Sequence, residues 1–258
     1  MKILLTSRPF RSGAIVSAAA AVLLTTACGP DESGATGTPA ATPTQATPTK
    51  AAGNGIEAKS ADEILEAAVA AFVQASSVRV KGVTTDGGMT ISLDLSLGRS
   101  EARGTMQAPV RDKSVSFSFI VTNGRTYLKG PELWRAAAGA PMAHLVGDRW
   151  VLLPKKGGDI GDLTQIADLE KFAKDVLRND QNEKIAKGGT AVIDGTPAIG
   201  LVGADGTLYV ATTGTPYPLK LVPKKPAKPG EELVFLDYDA PLNLTPPADA
   251  LDLAKLGQ

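Results

Sequence analysis

The sequence predicts an α+β domain in which helices cover one face of an antiparallel sheet. Three observations carry that prediction. The apolar period is helical in Ile64, Leu65, Ala68, Val69, Phe72 and Val73, then switches to strict alternation in Met89–Leu97 and again in Val115–Val121. Two-residue turn signals, Asn123-Gly124 and Asp194-Gly195, join strand-like runs as hairpins. The order is helix, strands, helix, strands, and two long helices are few for so many strands, which puts them together on one side of the sheet.

The N-terminus has the layout of a secretory signal. Lys2, Arg8 and Arg11 precede an uncharged run, Gly13–Ala27, that ends in a small residue. That run is shorter than the ~20 apolar residues a bilayer span needs. Cleavage after Ala27 makes Cys28, the single cysteine of the 258 residues, the new N-terminus. Thr25-Thr26-Ala27-Cys28 resembles the bacterial lipoprotein box, with the usual leucine one place early at Leu24. The expectation is that the Cys28 thiol takes a diacylglycerol and anchors the protein on the extracytoplasmic side of the cell membrane. Residues 1–27 are then the signal peptide. Residues 28–55, rich in Thr, Pro, Gly and Ala, form a tether, because such side chains bury too little surface to repay ordering entropy. Residues 56–258 form the folded domain.

Within that domain, Ser60 and Glu63 are spaced as a capping box and open a helix to about Ser76. The stretch TTDGGM reads as a hairpin turn leading into the strand Met89–Leu97. A second alternating strand carries Val115, Phe117, Phe119 and Val121, and turns at Asn123-Gly124. Leu133–Gly147 reads as an irregular, partly helical insert holding Trp134 and the only histidine, His144, followed by a strand in DRWVLLP. Asp162 is placed to cap a second helix to about Arg178, with Ile166, Leu169, Phe172, Ala173, Val176 and Leu177 on its apolar side. Residues 189–224 read as successive hairpins turning at Asp194-Gly195 and Asp205-Gly206, with the basic, Pro-rich segment Pro223–Gly230 as a further hairpin connection. Glu231–Pro247 supplies a last strand that leaves through prolines.

Composition excludes several chemistries. Basic and acidic residues balance at 27 each in the full sequence. Loss of residues 1–27 removes three basic residues and no acids, for a net charge of about −3. That is no footprint for nucleic acid. With no cysteine after Cys28, the exported part has no disulfide and is held by its own core. One histidine and no second cysteine leave no basis for a metal site. No nucleophile elbow, Ser-x-x-Lys pair or phosphate loop occurs, so the chain reads as a non-enzyme without cofactor. Asp237 and Asp239 are two apart and share a face if on a strand, but two carboxylates are too few for calcium. His144 reads as a surface imidazole.

The lipoprotein box, the Thr/Pro tether, the capped helix, the serine-alternating strands, the ELWRAAAGAPMAHLVGDRWVLLP insert and the GTLYVATTGTPYPLKLV hairpin together resemble the LppX/LprG-type lipoproteins of actinobacteria, which belong with the LolA/LolB-like half-barrels. The resemblance spans roughly Ile56 to Pro247. It implies a strongly curved antiparallel sheet holding helices in its concavity. It also implies an acylated lipid or glycolipid bound between the two and carried within the envelope, with a membrane transporter as a candidate partner. No family motif transfers pocket residues individually. The expected lining is therefore the apolar strand face: Met89, Ile91, Leu93, Leu95, Val115, Phe117 and Phe119. Alternation alone leaves a second reading, a closed-core binding or regulatory module that recognises a protein or cell-wall partner.

Overall fold

The computed structural model describes residues 52–86, 88–111, 113–154, 167–177, 184–226 and 228–255. Cys28, the lysine pair at 155–156 and Asp162 lie outside them. The first helix, α1 (Ala61–Gln74), starts where its capping box requires. Ser60 Oγ accepts from the Glu63 N–H at 3.3 Å, and a Glu63 carboxylate oxygen accepts from the Ser60 N–H at 2.9 Å. Those bonds hold the Glu63 carboxyl below its usual range, the side-chain bond to Ser60 contributing most. Ile64, Ala68, Val69 and Phe72 are buried along one stripe, as the periodicity predicts.

Twelve strands form one open sheet: β1 (Ser77–Asp86), β2 (Met89–Gly98), β3 (Ala102–Val110), β4 (Lys113–Thr122), β5 (Arg125–Lys129), β6 (Val151–Leu152), β7 (Ala186–Ile193), β8 (Thr196–Val202), β9 (Gly206–Ala211), β10 (Pro218–Pro223), β11 (Glu232–Leu236) and β12 (Leu251–Asp252). Their spatial order is β12-β6-β5-β4-β3-β2-β1-β11-β10-β9-β8-β7. Two antiparallel meanders are thus joined where β1 pairs with β11, and the edges β12 and β7 never meet. The result is a half-barrel, curved around its helices, as expected. Asn123 (φ 54°) with Gly124 (φ 65°), and Asp194 (φ 46°) with Gly195 (φ 81°), adopt the two successive left-handed conformations a type I′ turn demands. At the third expected turn, Gly203 N–H donates to Gly206 O at 2.9 Å, so the corner is Ala204–Asp205 and Gly206 already belongs to β9. Pro223–Gly230 is a hairpin connection between β10 and β11, with Lys224, Lys225 and Lys228 exposed.

The meander junction is tight. Gly82 sits at φ 151°, and an added Cβ would stand 1.9 Å from the Glu232 carbonyl oxygen. Backbone strain and a clash with the neighbouring main chain then act together. Gly82→Ala is expected to cost about 2–4 kcal/mol, a fall in Tm of roughly 5–15 °C for a domain of this size. Thermal unfolding followed by circular dichroism checks this; a variant within about 2 °C of wild type would show that the β1–β11 junction bends to take the methyl group.

One expectation is sharpened and two need correction. The insert, expected to be irregular or partly helical, is two short helices, α2 (Pro131–Ala138) and α3 (Ala140–Val146), each with proline in its first turn and a glycine at each end. The next helix, α4 (Leu169–Val176), starts later than expected and is capped by Asp168, whose Oδ1 accepts from the Lys171 N–H at 3.0 Å. Its apolar side is the expected one, with Leu169, Ala173 and Leu177 buried and Phe172 and Val176 half-buried. Finally, Asp237 and Asp239 do not share a strand face. The strand β11 ends at Leu236, and both residues take positive φ, at 48° and 60°. Asp239 accepts from Ser76 N–H at 2.7 Å and from the Tyr217 hydroxyl at 2.6 Å, which lowers its carboxyl below the usual range. Burial, reinforced by that bond to Asp239, pushes the Tyr217 phenol up to about 12.

This turn starts a tail that crosses back over the sheet. Tyr217 stacks on Tyr238 at 3.8 Å, Ser77 Oγ donates to Ala240 O at 2.6 Å, and Leu242 packs against Gly98. The tail then pairs β12 in parallel with β6, six strand steps from β11, or about 29 Å measured along the sheet. At the other end of the domain, Asn54 Nδ2 donates to the carbonyls of Ala211 and Gly214, both at 3.0 Å, so ordered contacts begin just before Ile56.

Candidate functional site, the concave face

Antiparallel register sorts every second side chain to the inside of the curve. Across the sheet, Val80, Leu95, Gly104, Phe119, Leu128 and Val151 form one row of cross-strand neighbours. Gly82, Leu93, Met106 and Phe117 form the next row. Beyond it Ile91 lies opposite Thr84, and Val115 opposite Ala108. The seven expected residues therefore do occupy one face, on β2 and β4 with β3 between them.

Their exposure is uneven along the strands. Leu95 and Phe119 are 3% and 1% exposed, and Ile91 and Val115 are 3% and 4% exposed. Leu93 and Phe117 are half-buried against the core, and Met89, at the start of β2, is 42% exposed. Met89 is thus on the right face but outside the packed core, because the β1–β2 hairpin carries it past the covering helices.

The cover comes from the four described α-helices. Phe72 of α1 stacks on Phe172 of α4 at 5.7 Å and meets Phe235 of β11 edge-on at 5.9 Å. The helices α2 and α3 pack together, and α2 lies on β3 and β4. Its Leu133 and Trp134 are buried at 2% exposure, and the Trp134 Nε1 has no hydrogen-bond partner among the described residues. A buried indole N–H without an acceptor costs about 1–3 kcal/mol. Among the described residues, no group of three or more His, Cys, Asp or Glu could hold a metal ion. His144 is exposed on α3.

Two parts of this face were not read from the sequence. The strand β3 contributes Ala102, Gly104, Met106 and Ala108, whose alternation is present but muted by small side chains with little strand preference. Trp134 stood in what read as an irregular insert; its signal was the Pro131 start with Leu133-Trp134 in the first turn and glycines on either side.

No family model and no curated protein matches this sequence. Among solved structures, the chain is similar to an uncharacterized conserved protein from Thermus thermophilus, at 14% identity over 75% of this chain and 98% of that one, with a TM-score of 0.34. It is similar to MucB, solved in complex with MucA(peri), at 16% identity over 73% of this chain and 58% of that one, with a TM-score of 0.31. It is also similar to a DUF1329 family protein from Desulfovibrio piger, at 10% identity over 72% of this chain and 95% of that one, with a TM-score of 0.26.

Proposed function

We propose that the protein is a membrane-anchored, non-enzymatic lipoprotein that holds the acyl chains of a lipid or glycolipid in its concave face and carries them within the cell envelope. One observation carries this reading: a continuous apolar face runs across β1–β4, and within it Leu93 and Phe117 are only half-buried between fully buried neighbours, with Met89 exposed at its rim. An acyl chain needs contiguous apolar wall and no charge. Each methylene taken from water contributes about 0.8 kcal/mol, so partial insertion already binds usefully. The Trp134 indole N–H suits the same guest, since a lipid ester carbonyl is the acceptor it lacks. The Thr- and Pro-rich composition between Cys28 and the domain is that of a linker, which suits a carrier tethered at the membrane surface. No helix among the described residues is long and apolar enough to cross a membrane. The proposed attachment is the lipidated Cys28.

The buried rows of the same face favour the second reading. Ile91, Leu95, Val115 and Phe119 flank Leu93 and Phe117 on both sides and are as buried as any core residue, which suits a closed-core module that recognises a protein or cell-wall partner on its surface. Native mass spectrometry of the protein purified from its own membranes separates the two. The carrier reading expects a bound species with the mass of an acylated lipid, retained through gentle delipidation controls. Protein of bare polypeptide mass that also takes up no lipid from mixed micelles refutes the carrier and leaves the closed module.

A further inference from the structure

The convex face bears a cleft that the lipid reading leaves unused. Where β1 and β3 begin and β2 and β4 end, the tail at Ala240–Leu242 forms one wall and Trp150 lines the other, enclosing an open cleft of ≈ 650 Å³. Its floor is two adjacent cross-strand rows on the outward side of the sheet: Arg79, Ser96 and Arg103, then Asp94, Thr105 and Ser118. Three strands at about 4.8 Å spacing, with the fourth at the rim, make a floor longer than one sugar ring.

Two features restrict what fits there. The first is charge. Arg79 is already spent, with Nε donating to Asp94 Oδ1 at 2.7 Å, Nη2 donating to Asp94 Oδ2 at 2.8 Å, and Nη1 lying 3.5 Å from Asp237. Those bonds lower the Asp94 carboxyl below its usual range, so it stays ionised. Arg103 adds a second guanidinium, and the cleft then holds two positive and two negative groups. An anion would meet Asp94 and Asp237, and a cation would meet Arg79 and Arg103, so neither has a net attraction. The second feature is unspent hydrogen-bonding capacity. The hydroxyls of Ser96, Thr105 and Ser118 and the guanidinium of Arg103 have no partner among the described residues. Each hydroxyl offers one donor and two acceptor sites, and Arg103 offers five donors. Beside them stands the half-buried indole of Trp150, a flat apolar surface.

A ligand that is uncharged, dense in hydroxyls and flat and apolar on one face satisfies all of these groups at once. We propose that this convex cleft binds a neutral oligosaccharide segment, with a sugar ring on Trp150 and its hydroxyls on Arg103, Ser96, Thr105 and Ser118. The site is on the opposite face of the sheet from the acyl-chain site and stands whether or not that site carries lipid. The segment has two sources, a free or wall-linked glycan and the headgroup of a glycolipid.

The test uses the full chain in a polyoxyethylene-ether detergent, which brings no sugar of its own, on an array of neutral, uronic-acid and phosphorylated oligosaccharides that also displays neutral glycolipids. The expected result is binding to neutral members, followed in solution by titration calorimetry. It should weaken at least about tenfold in Arg103→Ala and in Trp150→Ala, as expected for loss of a charged donor or of the stacking surface. Arg103 is exposed and bonded to nothing among the described residues, so Arg103→Ala leaves the fold intact and keeps the test decisive if Trp150→Ala unfolds. Binding to free oligosaccharides that Leu93→Trp leaves unchanged assigns a glycan independent of the acyl chain. Binding only to glycolipids, still lost in Arg103→Ala, assigns the headgroup. The proposal is overturned by an array with no neutral member bound, by charged members bound as tightly as neutral ones, or by wild-type affinity in Arg103→Ala.

Discussion

Replacing Cys28 by Ala is expected to abolish the mature, membrane-anchored form of the protein. The motivation is the position of the only thiol, directly after an uncharged run that ends in Ala27. Anchoring depends on chain count: one acyl chain holds a protein marginally, with a partition constant on the order of 10⁴ M⁻¹, while two or more hold it stably. A diacylglycerol thioether supplies at least two, and Cys28→Ala removes all of them together with the processing site. The membrane-bound mature form should therefore fall at least about tenfold, replaced by uncleaved precursor or by released domain. Fractionation followed by intact-mass measurement checks this. A Cys28→Ala variant that fractionates like wild type, with a mature chain still beginning at residue 28, rules lipidation out.

The second large effect distinguishes two leucines that the sequence treats alike. Leu95 is 3% exposed, and a Cβ placed on its neighbour Gly104 would already come within 2.7 Å of its Cδ2. Leu95→Trp must overpack, costing about 1–3 kcal/mol, or roughly 3–10 °C in Tm. Leu93 is only half-buried, although Ile91 and Leu95 on either side of it are buried. Leu93→Trp is expected to leave Tm within about 2 °C of wild type while occluding the face and abolishing lipid uptake. Thermal unfolding and bound-lipid mass, measured together on the delipidated protein, read out both. Equal destabilisation in the two variants, with no lipid taken up by wild type, would mean that Leu93 is ordinary core and would remove the carrier reading.

Much of the architecture was legible because it is written in local patterns. Ser60 and Glu63 announce the start of α1, and the Asn123-Gly124 and Asp194-Gly195 pairs announce two turns, since each device involves residues within four positions of one another. The alternation of Met89–Leu97 and Val115–Val121 named one face of two strands correctly, because strand periodicity assigns faces without reference to partners. Even the muted alternation in β3 was present in the letters, though alanine and glycine carry too little hydrophobic contrast to declare it.

Everything that depends on long-range pairing was settled only by the tertiary structure. That β1 joins β11, turning two meanders into one half-barrel, depends on residues about 150 positions apart, and Gly82 is the local trace of that close approach. The paired fates of Asp237 and Asp239 followed from a turn that hands one to Arg79 and the other to Ser76 and Tyr217. The sequence by itself determined the elements, their inward faces and the chemical character of the core. The tertiary structure decided how deeply each of those faces is buried, and so which of Leu93 and Leu95 a guest can reach. It also laid the tail beside Arg103 and Trp150, because a cleft is a relation between distant segments that no single stretch of chain encodes.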